Sequence, residues 1–258
     1  GLVHKAADPA DQYAEDCLAH AIALYDFASE YPETVASDSG GLYTSEYATD
    51  DLAWAAMWLY EATRDTRYLD DVVGSIDNWE AQWTQGWLGH FMPYPDWDES
   101  HTHVWNSVRS GVFVRLAATM HELGAGRNQN HPYLTLADRM QEIARRDSVK
   151  WSNGTVSQTA GGFSMLSTWG SARYNSAAQF VALTYAKYFP DDAESPGFVS
   201  WAQSQMDYLL GDNPINESYM MGLTENYSDQ PHHAAGHASL YGLCDNPSEN
   251  RHILWGAL

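Results

Sequence analysis

Seven stretches of this chain place apolar residues at three- and four-residue steps, and no stretch alternates convincingly in the way a half-buried strand does. That regularity limits the chain to helices packed on helices. "DQYAEDCLAHAIALYDFASEY" sets Tyr13, Cys17, Leu18, Ala21, Leu24 and Phe27 on one predicted stripe. "DDLAWAAMWLYEATRD" opens with Asp50 and Asp51, at the helix end where carboxylates are favoured. "RYLDDVVGSIDNWEAQW" gives a third helix, and "WNSVRSGVFVRLAATMHELG" a fourth that closes at Gly124 as a C-cap. "PYLTLADRMQEIARR" begins on a proline that a first turn accepts. "GSARYNSAAQFVALTYAKYF" and "FVSWAQSQMDYLLG" complete the set. Helices joined by uneven loops predict stacked helical hairpins in an all-α fold. With no linker or composition break, residues 1–258 read as one domain.

The loops are long and carry Trp, Tyr, His, Asp and Asn, the composition of loops that bear function on a rigid frame. Aromatics make up 13% of the 258 residues, with 11 Trp and 16 Tyr. Such side chains join an apolar face to a polar edge, as sugars do; most are expected in the core and a few in a cleft. The net charge of −21 repels phosphate backbones and argues against a nucleic-acid partner. Lysine occurs only at Lys5, Lys150 and Lys187, which suits a salty or extracellular setting as well as an ordinary enzyme. No apolar run is long enough to span a bilayer, and the opening "GLVHKAADPADQY" does not have the form of a signal peptide. Cys17 and Cys244 are too few for a disulfide framework, and Cys17 reads as a buried thiol.

Three constellations carry chemistry. In "PHHAAGHAS", His233 and His237 have a zinc-like spacing, but Pro231 and Gly236 argue against a regular helix and no third ligand is near. No "GxSxG" elbow exists for a nucleophile. Histidines that hydrogen-bond in a polar cleft fit better, with structural loop histidines as the alternative. In "TWGSARYNSAA", Trp169 is expected to open a helix and share a face with Arg173, a ring and a guanidinium able to hold a sugar or merely to cap the helix. In "SEYATDDLAW", Glu46, Asp50 and Asp51 crowd oxygen atoms at a loop–helix junction, as a calcium site or as plain helix-start charge.

In this order, "DDLAWAAMWLYEATRD", "WNSVRSGVFVRLA", "STWGSARYNSAAQFVALTYA", "MDYLLGDNPINESYMMG", "PHHAAGH" and "HILWGAL" resemble glycoside hydrolase family 9, the endoglucanase and cellulase family, over nearly the whole chain. The resemblance implies an (α/α)6 barrel of helical hairpins, of which this chain covers about half to two thirds. It implies inverting endo-β-1,4-glucanase activity on cellulose or related β-glucans, in a secreted, monomeric protein with no organic cofactor. The catalytic Asp pair ("DAGD") and the acid Glu after "GALVGGP" are expected outside this chain, so the 258-residue segment alone is predicted inactive.

By the same resemblance His232 is the active-site histidine, Trp169 stacks on a glucosyl ring, and Arg173 and Tyr174 reach sugar hydroxyls. Asp50, Asp51 and Asn106, with Glu46 where a serine is usual, align with ligands of a structural calcium. Asp98 in "PDWDES" is a less well spaced alternative to Asn106. The sequence departs from the family at Ala234, where an arginine is usual. That departure motivates a glucanase with mixed-linkage, xyloglucan or oligosaccharide preference. The missing acid and base motivate a non-catalytic carbohydrate-binding relative. A helical toroid that binds protein partners is the remaining reading.

Overall fold

A computed structural model of the chain describes residues 11–32, 48–83, 102–105, 107–124, 134–231, 233–238 and 249–257, with the side chains of 77–83, 234 and 235 excepted. The elements are α1 (Gln12–Glu30), α2 (Thr49–Thr63), α3 (Arg67–Trp83), α4 (Arg109–Gly124), α5 (Leu134–Ser152), α6 (Ser171–Tyr188), α7 (Ser195–Leu210) and the single turn α8 (Ala234–His237). Among the described residues there is no β-strand, only isolated bridges such as Gln158 with Ser164 and Ser218 with Tyr227. All seven expected helices form. The chain falls into two compact units, residues 1–147 with 187–190, and residues 148–186 with 191–258. Helices α5 and α6 each run across a division.

In the first unit α2 packs against α1, α3 and α4. Its buried face is Ala53, Ala56, Met57, Leu59 and Tyr60, a three-and-four spacing that produces one apolar stripe. The helix stops at Arg64, whose backbone is left-handed (φ 59°, ψ 20°) and whose N–H donates to Tyr60 O. Helix α4 is buried continuously from Arg109 to Met120, as expected of a helix surrounded on all sides. It carries Arg115 inward, where the guanidinium pairs with Glu61, also accepts a place over the Trp58 and Tyr188 rings, and donates to Tyr188 Oη at 3.0 Å. Thr119 Oγ1 donates to the same Glu61 carboxylate, and Arg64 reaches it from the surface at 3.0 Å.

Helix α1 starts as its sequence demands, with Asp11 accepting from the Tyr13 N–H as an N-cap. Its buried residues, however, are Ala14 and Tyr25. Tyr13, Leu24 and Phe27, expected inside, are exposed, and Cys17 is half-buried instead of buried. Tyr25 is selected because its hydroxyl donates to Asp71 on α3 and its ring meets Tyr68 edge-on. Between α1 and α2 lies an apolar groove of about 550 Å3 lined by Leu18, Leu24, Leu52, Ala55 and Trp58. Gly124 is the last helical residue of α4; Pro132 lies outside the described residues.

The second unit is held by neutral polar side chains. Asn175 Nδ2 donates to Ser164 O and to Gln205 Oε1, each at 2.9 Å, and Gln205 Oε1 also accepts the Ser164 N–H at 2.7 Å. Gln179 donates to Asn175 Oδ1, Trp201 Nε1 to Ser164 Oγ, and Ser164 Oγ to Trp151 O. All of these residues are buried, so each bond replaces one otherwise lost to water. The network joins α6 and α7 to the loop 159–169. Asn213 ties the loop after α7 in the same manner: its amide donates to Tyr208 O and Glu217 O and accepts from the N–H groups of Ile215 and Glu217.

Candidate functional site

The loop pinned by Asn175 and Gln205 leads directly to Trp169. This tryptophan precedes helix α6, which begins at Ser171, so it does not open the helix as its spacing predicts. A left-handed glycine, Gly170 (φ 62°), makes the turn between them. The Trp169 N–H donates to Ser167 Oγ, and its side chain is 65% exposed. Within the first turn of the helix the exposed Arg173 lays its guanidinium 4.4 Å from the Tyr174 ring centre and donates to Tyr174 Oη at 2.6 Å. Tyr174 itself is 1% exposed. Beneath Arg173, it restricts where the guanidinium can point. An exposed indole and a braced cation four residues apart offer a stacking face and several N–H donors.

The acidic junction is divided. Asp50 is 1% exposed; its Oδ2 accepts the Val108 N–H at 2.9 Å, while Oδ1 is buried without a hydrogen-bond partner. Asp51 reaches the surface beside the apolar groove. Partial desolvation, and then the Asp50 charge, push its carboxyl up from 3.8 to about 6. A buried carboxylate oxygen with no donor, next to a second carboxyl reluctant to ionise, is a donor set that fits a hard cation. Glu46 and Asn106 lie outside the described residues, as does Asp98, and among the described residues no group of three His, Cys, Asp or Glu could hold a metal. His103, near Asp50, packs edge-on against Trp54, and burial lowers its pKa.

His232 also lies outside the described residues. Its neighbours do not: His233 is exposed, while His237 is 5% exposed and donates its N–H to His233 O. The buried network of Asn175, Gln179 and Gln205 behind Trp169 escaped the sequence reading. Its signal was present, since Asn175 and Gln179 are amides four apart on a helix whose neighbours Ala178 and Ala182 face inward.

These helices correspond to a known architecture. The structure superposes on the catalytic domain of Clostridium thermocellum CelT with a TM-score of 0.74 and 36% identity, covering 98% of this chain and 49% of that one. It superposes on the cellulase CEL9M of C. cellulolyticum in complex with cellobiose with a TM-score of 0.73 and 32% identity, covering 100% of this chain and 52% of that one. Its fold class is thus that of (α/α)6-barrel proteins, matched over about half their length. The family model for glycosyl hydrolase family 9 matches residues 2–258, and the chain belongs to that family. Endoglucanase A of Bacillus pumilus is 31% identical over 95% of this chain and 35% of its own length. Endoglucanase 14 of Arabidopsis thaliana is 30% identical over 97% of this chain and 52% of its own. The chain therefore spans about a third to a half of the length of these curated relatives. Among the described residues no helix is long and apolar enough to cross a membrane.

Proposed function

We propose that this chain is part of an inverting endo-β-1,4-glucanase that cuts internal bonds of cellulose or a related β-glucan. The observation that carries the reading is the family match over residues 2–258, with relatives named endoglucanases and solved neighbours holding cellobiose and cellotriose. In inversion one carboxylic acid protonates the departing glycosidic oxygen while a carboxylate on the opposite face takes a proton from the attacking water. The C1–O bond to the leaving sugar breaks as the C1–O bond to water forms. That acid and base are assigned to residues outside this chain. This chain's part is to hold sugar: Trp169 through an apolar ring face, Arg173 through directed N–H donors, and His232 through a hydrogen bond beside the reacting bond.

A calcium ion held by Asp50 and Asp51, with Glu46 and Asn106, belongs to the same reading. It would supply positive charge to the buried Asp50 oxygen and fix the junction ahead of α2. Action outside the cell, on an insoluble polymer, and as a monomer completes it. The test is hydrolysis of carboxymethylcellulose by the protein as its gene encodes it. Viscosity should fall faster than reducing ends appear, and NMR of cello-oligosaccharide products should show the α-anomer first. A first product in the β-configuration would exclude inversion. Ala234, in place of a guanidinium with up to five donors, favours a second reading, a preference for mixed-linkage glucan, xyloglucan or short oligosaccharides. Relative rates on those substrates decide between them. Binding of oligosaccharides with no hydrolysis would support the non-catalytic relative.

A further inference from the structure

Trp169 stands on a stretch of chain whose two ends meet at a single side chain. Before it, Ser164 donates its N–H to Gln205 Oε1 at 2.7 Å; after it, Asn175 donates Nδ2 to the same oxygen at 2.9 Å. Gln205 Nε2 donates to Gly162 O at 3.1 Å and to Ser204 Oγ at 3.3 Å. Asn175 Nδ2 also donates to Ser164 O at 2.9 Å. The N–H of Ser164 is thus held from α7 and its C=O from α6. Closer to the tryptophan, Ser167 Oγ accepts its N–H at 3.2 Å, and the left-handed Gly170 turns the chain into α6.

Gln205 is 3% exposed and Asn175 is fully buried. An apolar side chain of similar length would fill the same space without taking an amide out of water. The Gln205 amide is instead directed: it bonds to Gly162 and Ser164 ahead of Trp169 and to Asn175 behind it. Bonds to Gly162 O and to both polar groups of Ser164 fix peptide planes, and a peptide plane sets the direction in which the chain leaves. The indole is 65% exposed, so the backbone that carries it governs where its face stands. A binding group serves its ligand when held within about 0.5 Å of the productive geometry. We propose that Gln205, together with Asn175, is a positioning pair for sugar binding, which sets where Trp169 presents its ring. The proposal rests on the part of the glucanase reading in which Trp169 meets the sugar.

The test measures affinity by calorimetry for a thio-linked cellotetraose, which resists hydrolysis, in the protein as its gene encodes it. The variants are W169A, Q205L, N175A and the doubles Q205L/W169A and N175A/W169A. W169A should lower affinity about 5- to 150-fold. Q205L and N175A should each lower it about 5-fold or more, within the loss seen in W169A. Neither should lower it further once the indole is gone, because both act through it. A side chain that only stabilised the core would leave affinity unchanged in the folded variant. If Q205L fails to fold, N175A, which keeps Gln205 and releases Ser164 O, carries the same test with its own double. Wild-type affinity in the variants that fold overturns the proposal, as do losses that multiply with W169A. A normal W169A beside an impaired Q205L overturns it too, yet leaves the glucanase reading standing. Binding that follows the expected pattern in a protein that hydrolyses no β-glucan upholds the pair and removes the glucanase reading. A wild-type protein that neither binds nor hydrolyses removes both.

Discussion

The two compact units bury polar groups by different means. In the first, a full charge goes inside: Arg115 pairs with Glu61, each about one tenth exposed, and the guanidinium is flanked by Trp58 and Tyr188. In the second, Asn175, Gln179, Gln205 and Ser164 share neutral hydrogen bonds. The difference lies also in what is tied. Glu61 and Arg115 bind helix α2 to helix α4, element to element. The amides reach loop backbone at Gly162 and Ser164, and so hold the approach to Trp169. An ion pair is all or nothing, since either partner alone is a buried charge. A neutral network loses stability one bond at a time.

Breaking the ion pair is the most severe challenge to that contrast. Glu61→Ala leaves Arg115 buried without its carboxylate and should cost about 3–5 kcal/mol, read as a denaturation midpoint. A loss under about 1 kcal/mol would reduce the pair to surface value and erase the distinction. In the second unit Asn175→Ala should cost about 1–3 kcal/mol and speed amide exchange at Ser164, whose N–H is held by the Gln205 that Asn175 orients. Unchanged exchange there would show that the network does not fix the loop.

Trp169→Ala separates binding from stability. It should weaken cello-oligosaccharide affinity by about 1–3 kcal/mol, as large aromatic anchors do, and leave the melting temperature unchanged because the ring is exposed. Equal affinity by calorimetry would remove Trp169 from the binding surface. The smallest of these effects is set by pH. With its folded carboxyl at about 6 against an ordinary 3.8, Asp51 binds protons more readily folded than unfolded. In chelator, stability should therefore decline as pH rises from about 4 to about 6 and then level off. Asp51→Asn should flatten that decline, and added calcium should raise the melting temperature most above pH 6. A profile indifferent to both changes would return Asp51 to plain helix-start charge.

Helix existence was legible because the apolar period runs unbroken for four turns or more in each stretch. The inward face of α1 was not. Its apolar residues cover more than one side, so spacing alone permits the stripe of Tyr13, Leu24 and Phe27, whereas the Tyr25 bond to Asp71 and its packing on Tyr68 select another. Those partners are more than 40 residues away, beyond any local window. The surroundings of Trp169 were half legible: composition marked the tryptophan and Arg173, but Gly170 moved the indole off the helix. That Tyr174 lies buried beneath Arg173 was not legible, because sequence spacing does not report depth.

Arg64 shows how little room some positions leave for improvement. A left-handed arginine at a helix end costs roughly 1–2 kcal/mol that glycine would avoid. The same side chain, 58% exposed, sets its guanidinium 3.0 Å from Glu61, a contact worth up to about 1 kcal/mol at that exposure, and 5.4 Å from the Tyr60 ring centre. Relief of the backbone and loss of the cation nearly offset each other, so Arg64→Gly should shift stability by less than about 1 kcal/mol in either direction. A site where two unrelated chemistries come out even is one where natural sequences can drift between arginine and glycine without selection noticing, although the strain is plain in the structure.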